Sequence, residues 1–214
     1  MKYTTVIFDM DGTVLNSLED LADSVNYALQ QCSYPTRSIT EIQSFVGNGI
    51  EKLIERAVPS GTSTSDILHC LDLFKTHYQK NKTNKTKPYP GIVELLTKLK
   101  EKNIKTAIVS NKFKPAAVAL SNYYFPGLID ETIGASEQLK KKPDPSMVYE
   151  ALTLLHTTKE ECLYVGDSGT DMDTAKNAGL TSVGVAWGFR SVELLQEHGA
   201  NHIIHSASEL LELL

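Results

Sequence analysis

The sequence predicts an α/β fold, a parallel β-sheet core with helices on both faces, carrying a small all-α insertion after its first strand. Three observations predict it. A β-branched and aromatic run, Thr4-Thr5-Val6-Ile7-Phe8, ends abruptly at the polar Asp9-Met10-Asp11-Gly12-Thr13, as a buried strand does on entering a loop. Apolar residues then recur at helical spacing from about Ser17 to Lys80, with no strand pattern among them. Beyond Pro88, short apolar runs alternate with helical segments of about three turns, the pattern of parallel strands joined by crossover helices.

Taken in order, Leu18, Leu21, Val25 and Leu29 give the first inserted helix one apolar face. The insertion closes in a polar, Lys- and Thr-rich stretch, and Pro88-Tyr89-Pro90-Gly91 marks a linker. A helix is then predicted over 92–102, a strand over 106–109, a helix over 115–123 and a strand at 132–133. A helix over 145–156 follows, then a strand over 162–165, a helix ending at Ala178-Gly179, a strand over 182–186 and a last short strand over 202–204. The expected division is a core of 1–16 and 88–214 and a helical domain of 17–87.

A chain of 214 residues with 41% hydrophobic content can bury a substantial core. Its formal charge of −5 provides no broad basic field, which excludes nucleic acid as the expected partner. Cys32, Cys70 and Cys162 are odd in number and lack paired spacing, so reduced thiols are expected rather than disulfides or a zinc site. Met1-Lys2-Tyr3 leads directly into the first strand and no long apolar run follows. A cytoplasmic protein without a membrane partner is therefore expected.

In an open parallel sheet, ligands bind beyond the carboxyl ends of the strands. Asp9/Asp11, Ser110/Asn111 and Asp167 each follow a predicted strand, so their side chains should converge. Asp9 and Asp11 would repel each other if both were ionised, which implies a metal or a shared proton. Asp167 can complete the oxygen set that Mg²⁺ takes. Carboxylates also serve as nucleophiles in phosphoryl transfer, and no Ser-His-Asp or Cys-His spacing offers a comparable alternative.

Four segments carry a family resemblance: Asp9-Met10-Asp11-Gly12-Thr13-Val14-Leu15-Asn16-Ser17, Val109-Ser110-Asn111-Lys112, Lys142-Pro143-Asp144-Pro145 and Gly166-Asp167-Ser168-Gly169-Thr170-Asp171. In kind and order they resemble the four motifs of the haloacid-dehalogenase-like hydrolase superfamily. The resemblance implies a Rossmann-like core, a helical cap inserted after the first motif, and a Mg²⁺-dependent phosphatase of small phosphorylated metabolites. It implies that Asp9 attacks phosphorus to form an aspartyl phosphate, and that Asp11 first protonates the leaving oxygen and later activates water. Mg²⁺ would be held by Asp9, the Asp11 main-chain carbonyl and Asp167, with Asp171 in support. Ser110 would bind the transferred phosphoryl group beside Gly12, Thr13 and Asn111, and Lys142 would offset its charge. The resemblance leaves the oligomeric state as monomer or homodimer.

Phe45-Val46-Gly47-Asn48-Gly49-Ile50-Glu51-Lys52-Leu53-Ile54-Glu55-Arg56-Ala57 resembles the cap signature of phosphoglycolate phosphatases. Gly47, Asn48 and Arg56, with Lys52 nearby, are the substrate-binding candidates there, since glycines bring backbone amides close to an anion and cations pair with a carboxylate. Asn16 stands where many relatives have Asp. A sugar-phosphate mutase shares the core motifs, although its characteristic cap sequence is not apparent, and related caps occur in pyrophosphate- and nucleotide-directed members. Asp173 is expected to serve its helix terminus, Trp187 to pack, and the six histidines to carry no catalytic role.

Overall fold

The structure is a computed structural model describing residues 2–214. Strand β1 (Thr5–Phe8) is followed by β2 (Leu15–Asn16) and helices α1 (Leu18–Gln31), α2 (Ile39–Phe45), α3 (Ile50–Ala57) and α4 (Thr64–Asn81). Then come β3 (Lys87–Pro88), α5 (Ile92–Glu101), β4 (Lys105–Phe113), α6 (Lys114–Tyr124), β5 (Glu131–Ala135) and α7 (Ser146–Leu154). The chain finishes with β6 (Cys162–Gly166), α8 (Gly169–Ala178), β7 (Thr181–Val185), α9 (Val192–Glu197), β8 (His202–Ile204) and a 3₁₀ turn, Ala207–Glu212.

Six strands make one sheet in the order β5-β4-β1-β6-β7-β8, all paired in parallel. Strand β1 is central, and the chain leaves it toward β4 on one side and returns to β6 on the other. That reversal opens a crevice at the carboxyl ends of β1, β4 and β6. Because successive strand residues face opposite ways, Val6, Phe8, Ile108, Leu163 and Val165 pack on α5, α6 and the C-terminal turn. Ile7, Ala107, Val109 and Tyr164 pack on α7 and α8. Both faces are dry, which is why these strands read as continuous apolar runs.

Helices α1 to α4 bury a separate apolar cluster that includes Val25, Leu29, Ile42, Ile54, Phe74 and Tyr78. The cluster reaches the core layer at Ala116, Phe113 and Phe189. Ser38 and Glu41 form a reciprocal capping box that starts α2. Where the chain enters and leaves the helical segment, β2 and β3 pair antiparallel, Leu15 with Pro88 and Asn16 with Lys87. Pro88 falls in the expected linker instead of a strand; two residues are too few for periodicity to register, and Pro88 is tolerated because the ribbon has only edges. Asp20, in the first turn of α1, accepts from the amides of Lys85 and Thr86 and the Thr86 hydroxyl, which clamps the returning strand.

The most consequential departure lies in β4. The predicted strand stopped at 109, but the observed one continues through Ser110, Asn111 and Lys112 to Phe113, with an irregular register between Ser110 and Phe113. Ser110 and Asn111 are thus the last part of the strand itself. Pairing with β1 ends at Ile108, which frees this end of β4 to turn side chains toward the crevice. Helix α9 and the C-terminal 3₁₀ turn were not predicted, since each is short and weakly periodic. Among the described residues, no helix is long and apolar enough to cross a membrane.

Candidate active site

Asp9 emerges from β1, and its amide donates to Val165 O across to β6. Gly12 follows at φ +89°, and a Cβ there would lie 2.1 Å from Asp167 Oδ2. Only glycine lets the loop after β1 both turn and close on the β6 carboxylate. The strand order then brings three acids together: carboxylate oxygens of Asp9, Asp167 and Asp171 all lie within 4.8 Å of one another, and all three residues are buried. Asp167 accepts from the Phe189 amide (2.7 Å) and the Thr13 hydroxyl (3.4 Å). Asp171 occupies the first turn of α8, where one oxygen completes a capping box with Ser168.

Lys142, 5% exposed, places its ammonium 2.7 Å from both Asp9 Oδ1 and Asp171 Oδ1, and 3.2 Å from the Tyr164 hydroxyl. Burial would depress this lysine, but Asp171 and Asp9 more than offset that and hold it well above its ordinary value. Asn111 fixes it from behind. Its side-chain oxygen accepts from the Lys142 amide and its nitrogen donates to Lys142 O and to Gly47 O of the helical segment. The amide of Asn111 is thus spent on bracing the loop. Ser110 lines a pocket over the acids, and its hydroxyl accepts from the Lys112 amide, which leaves its own proton to donate.

The Asp11 carboxylate stands apart from the acidic cluster. One oxygen accepts from Ser17 Oγ (2.5 Å) and the other lies 3.0 Å from Lys112 Nζ. Lys112 is buried and also donates to the Tyr78 hydroxyl at 2.8 Å. Sequence reasoning gave Lys112 and Tyr78 no role. A lysine near the end of a strand carries no local signal, and Tyr78 lies 34 residues away on α4.

Four carboxylates (Asp9, Asp11, Asp167 and Asp171) face two ammonium groups, Lys112 and Lys142, a formal excess of two negative charges. Burial, with Asp171 beside it, pushes the Asp9 carboxyl up to about 7, and burial with Asp171 and Asp9 holds Asp167 well above its usual range. A buried hard-oxygen cluster short of positive charge is the donor set that a divalent cation of the Mg²⁺ type satisfies. Between its ordinary value of 3.8 and about 7, the Asp9 carboxyl is more protonated folded than unfolded. Metal-free protein should therefore gain stability as pH falls from about 7 to about 5, and added Mg²⁺, which needs the ionised ligands, should stabilise most at the alkaline end. Thermal melts across this range with EDTA or Mg²⁺ check both; a metal-free melting temperature that falls over that interval would contradict the first.

Over the acids lies a pocket walled on the helical side by Leu21, Val46, Ile50 and Leu53. Of the candidates in the helical segment, Gly47 lines it. Asn48 instead contacts Thr170 Oγ1 at 3.4 Å, and Arg56 turns away, exposed, to donate to Phe45 O. Lys52 pairs with Glu55 on the surface. The helix frame rotates these cations outward because Leu53, Ile54 and Ala57 claim the buried face of α3. Arg190, unassigned from the sequence, lines the pocket and donates to Gln43 O, Ser44 O and Val46 O at the end of α2, while Gln43 donates to Phe189 O. Arg56→Ala should leave KM within about twofold, as exposed substitutions do, whereas Arg190→Ala should raise it about tenfold by loosening that fastening. Steady-state kinetics on both variants check this.

Trp187 donates to Thr13 O and packs near Tyr89, and Asp173 meets His198 at the surface. Neither is among the residues that line the pocket.

A family profile described as haloacid dehalogenase-like hydrolase matches residues 6–185. A phosphoglycolate phosphatase of Mesorhizobium japonicum is 31% identical over 219 residues, spanning 100% of this chain and 96% of the relative. One of Cereibacter sphaeroides is 34% identical over 200 residues, 91% of each chain. A crystal structure from Lactobacillus delbrueckii subsp. bulgaricus superposes with a TM-score of 0.94 at 34% identity, covering 100% of this chain and 98% of that one.

Proposed function

The chain belongs to the haloacid dehalogenase-like hydrolase family, and from that premise we propose that it is a Mg²⁺-dependent phosphatase acting through an aspartyl phosphate on Asp9. The observation that carries the reading is the division of labour between two aspartates. Asp9 is held in the acidic cluster against Lys142, while Asp11, two residues on, turns its carboxylate away to Ser17 and Lys112. In this reading Asp9 attacks and Asp11 exchanges the proton.

In this mechanism an Asp9 oxygen attacks phosphorus, the bond to the leaving oxygen breaks, and Asp11 supplies the proton that oxygen takes. Water then attacks the phosphorus of the aspartyl phosphate, gives its proton to Asp11 and returns the Asp9 carboxylate with release of phosphate. Lys142 offsets charge on Asp9 and Asp171 throughout, and the Ser110 hydroxyl donates to a phosphoryl oxygen. Asp9, the Asp11 main-chain carbonyl and Asp167, with Asp171 behind, would hold Mg²⁺, which when bound supplies charge neutralisation for the phosphoryl oxygens. Residues 17–87 act as the cap domain over the core of 1–16 and 88–214; the pocket then has an apolar roof that excludes water.

The substrate we favour is a small organic phosphomonoester of the phosphoglycolate kind, supported by the names of full-length relatives. Phosphate release should be measured over phosphoglycolate, pyrophosphate, nucleoside monophosphates and hexose phosphates, with Mg²⁺ and with EDTA. A clear preference for phosphoglycolate is the expected result. Isomerisation of a hexose phosphate without net phosphate release would overturn hydrolysis in favour of a mutase.

A further inference from the structure

Both oxygens of the Asp11 carboxylate are held by groups that belong to, or are tied to, the helical segment. Ser17 is the N-cap residue of α1, yet its hydroxyl makes no capping bond and donates to Asp11 Oδ1 instead. The other oxygen is held by Lys112, whose ammonium bonds the hydroxyl of Tyr78 and lies 4.7 Å from the centre of that ring. Tyr78 is fully buried in α4, stacked on Phe74 in the apolar cluster of the helical segment.

A buried lysine and phenol are an expensive way to fill space, since an apolar pair of similar volume packs as well without desolvating a charge. Here the polar pair has one outlet, the Asp11 carboxylate. We propose that Tyr78 and Lys112 are positioning residues that transmit the seating of the helical segment to the acid/base carboxylate. With α4 in place, Tyr78 fixes the ammonium and the ammonium fixes Asp11. When α4 shifts away from the core, Lys112 loses its hydroxyl partner and Asp11 loses its orientation toward the leaving oxygen. This rests on Asp11 acting as the acid in the reaction proposed above.

The test compares two phosphate esters under Mg²⁺. p-Nitrophenolate leaves without a proton, whereas the alkoxide of glycerol phosphate needs one from Asp11. The ratio kcat/KM reports only steps up to aspartyl phosphate formation, so it isolates the acid role from the later base role. Tyr78→Phe, which keeps the ring, should lower kcat/KM for the alkyl ester about tenfold and for the aryl ester less than about twofold, a fraction of what full general acid catalysis contributes. Lys112→Met should deepen the alkyl loss, and Tyr78→Phe/Lys112→Met should be no worse than Lys112→Met alone, because the two act in series. Equal losses on both esters, or additive losses in the double variant, would overturn the proposal. If Tyr78→Phe does not fold, Lys112→Met carries the ester comparison by itself. Wild-type protein inactive on both esters would instead overturn the phosphatase reading.

Discussion

Asp9→Asn is expected to abolish turnover, by about four orders of magnitude or more, while its metal-free form melts at the same temperature as the wild type or higher. The two halves have one cause. The carboxylate is buried beside Asp171 and Asp167, and burial together with Asp171 pushes its carboxyl up to about 7. A neutral amide of the same shape removes the nucleophile and relieves the repulsion, and Lys142 keeps its bond to Asp171. Phosphate release from a generic ester and a thermal melt in EDTA measure both. Retained turnover would remove Asp9 from the chemistry; a large fall in melting temperature would show that its charge stabilises the fold.

Lys142→Met should damage both activity and fold. The ammonium is the group that bridges Asp9 and Asp171, and its side chain is 3% exposed. Removing one partner from a buried ion cluster costs about 3 kcal/mol or more, and loss of a charge beside the reacting group should lower kcat by about 10³. The stability deficit should shrink as pH falls from about 7 to about 5, because the stranded carboxyls then protonate in the folded state ahead of the unfolded chain. Mg²⁺ should recover part of it. A deficit independent of both pH and Mg²⁺ would mean that Lys142 matters only for packing. Lys141→Met is the control, since that lysine pairs with Glu51 at the surface and its loss should cost less than about 1 kcal/mol. Three consecutive lysines, alike in sequence, differ only in where the chain buries them.

Those lysines mark the boundary of what a linear reading can reach. The order of strands and helices, the inserted helical segment and the polar ends of β1, β4 and β6 were legible because each is a local pattern. Periodicity records which face of an element is buried, and a polar break after an apolar run records where a strand stops. The family resemblance fixed the order of the motifs on that frame. It also assigned Asp9, Asp167, Asp171 and Lys142 to one place, and the structure brings their side chains together.

Other features were set by contacts that no local pattern encodes. Strand β4 runs on past 109 because it stays paired with β5, Ser110 with Gly134 and Phe113 with Ala135, and its Asn111 side chain bonds the backbone of Lys142, 31 residues away, and that of Gly47, 64 residues away. Arg56 and Lys52 suit an anion by charge, but the apolar face of α3 turns them to solvent, and Arg190 from the opposite end of the chain lines the pocket instead. The sequence by itself determined which residues could do chemistry and on which elements they ride. Only the tertiary structure decided which charges meet, because a carboxylate and an ammonium are paired by distance in space, and folding sets that distance independently of their separation along the chain.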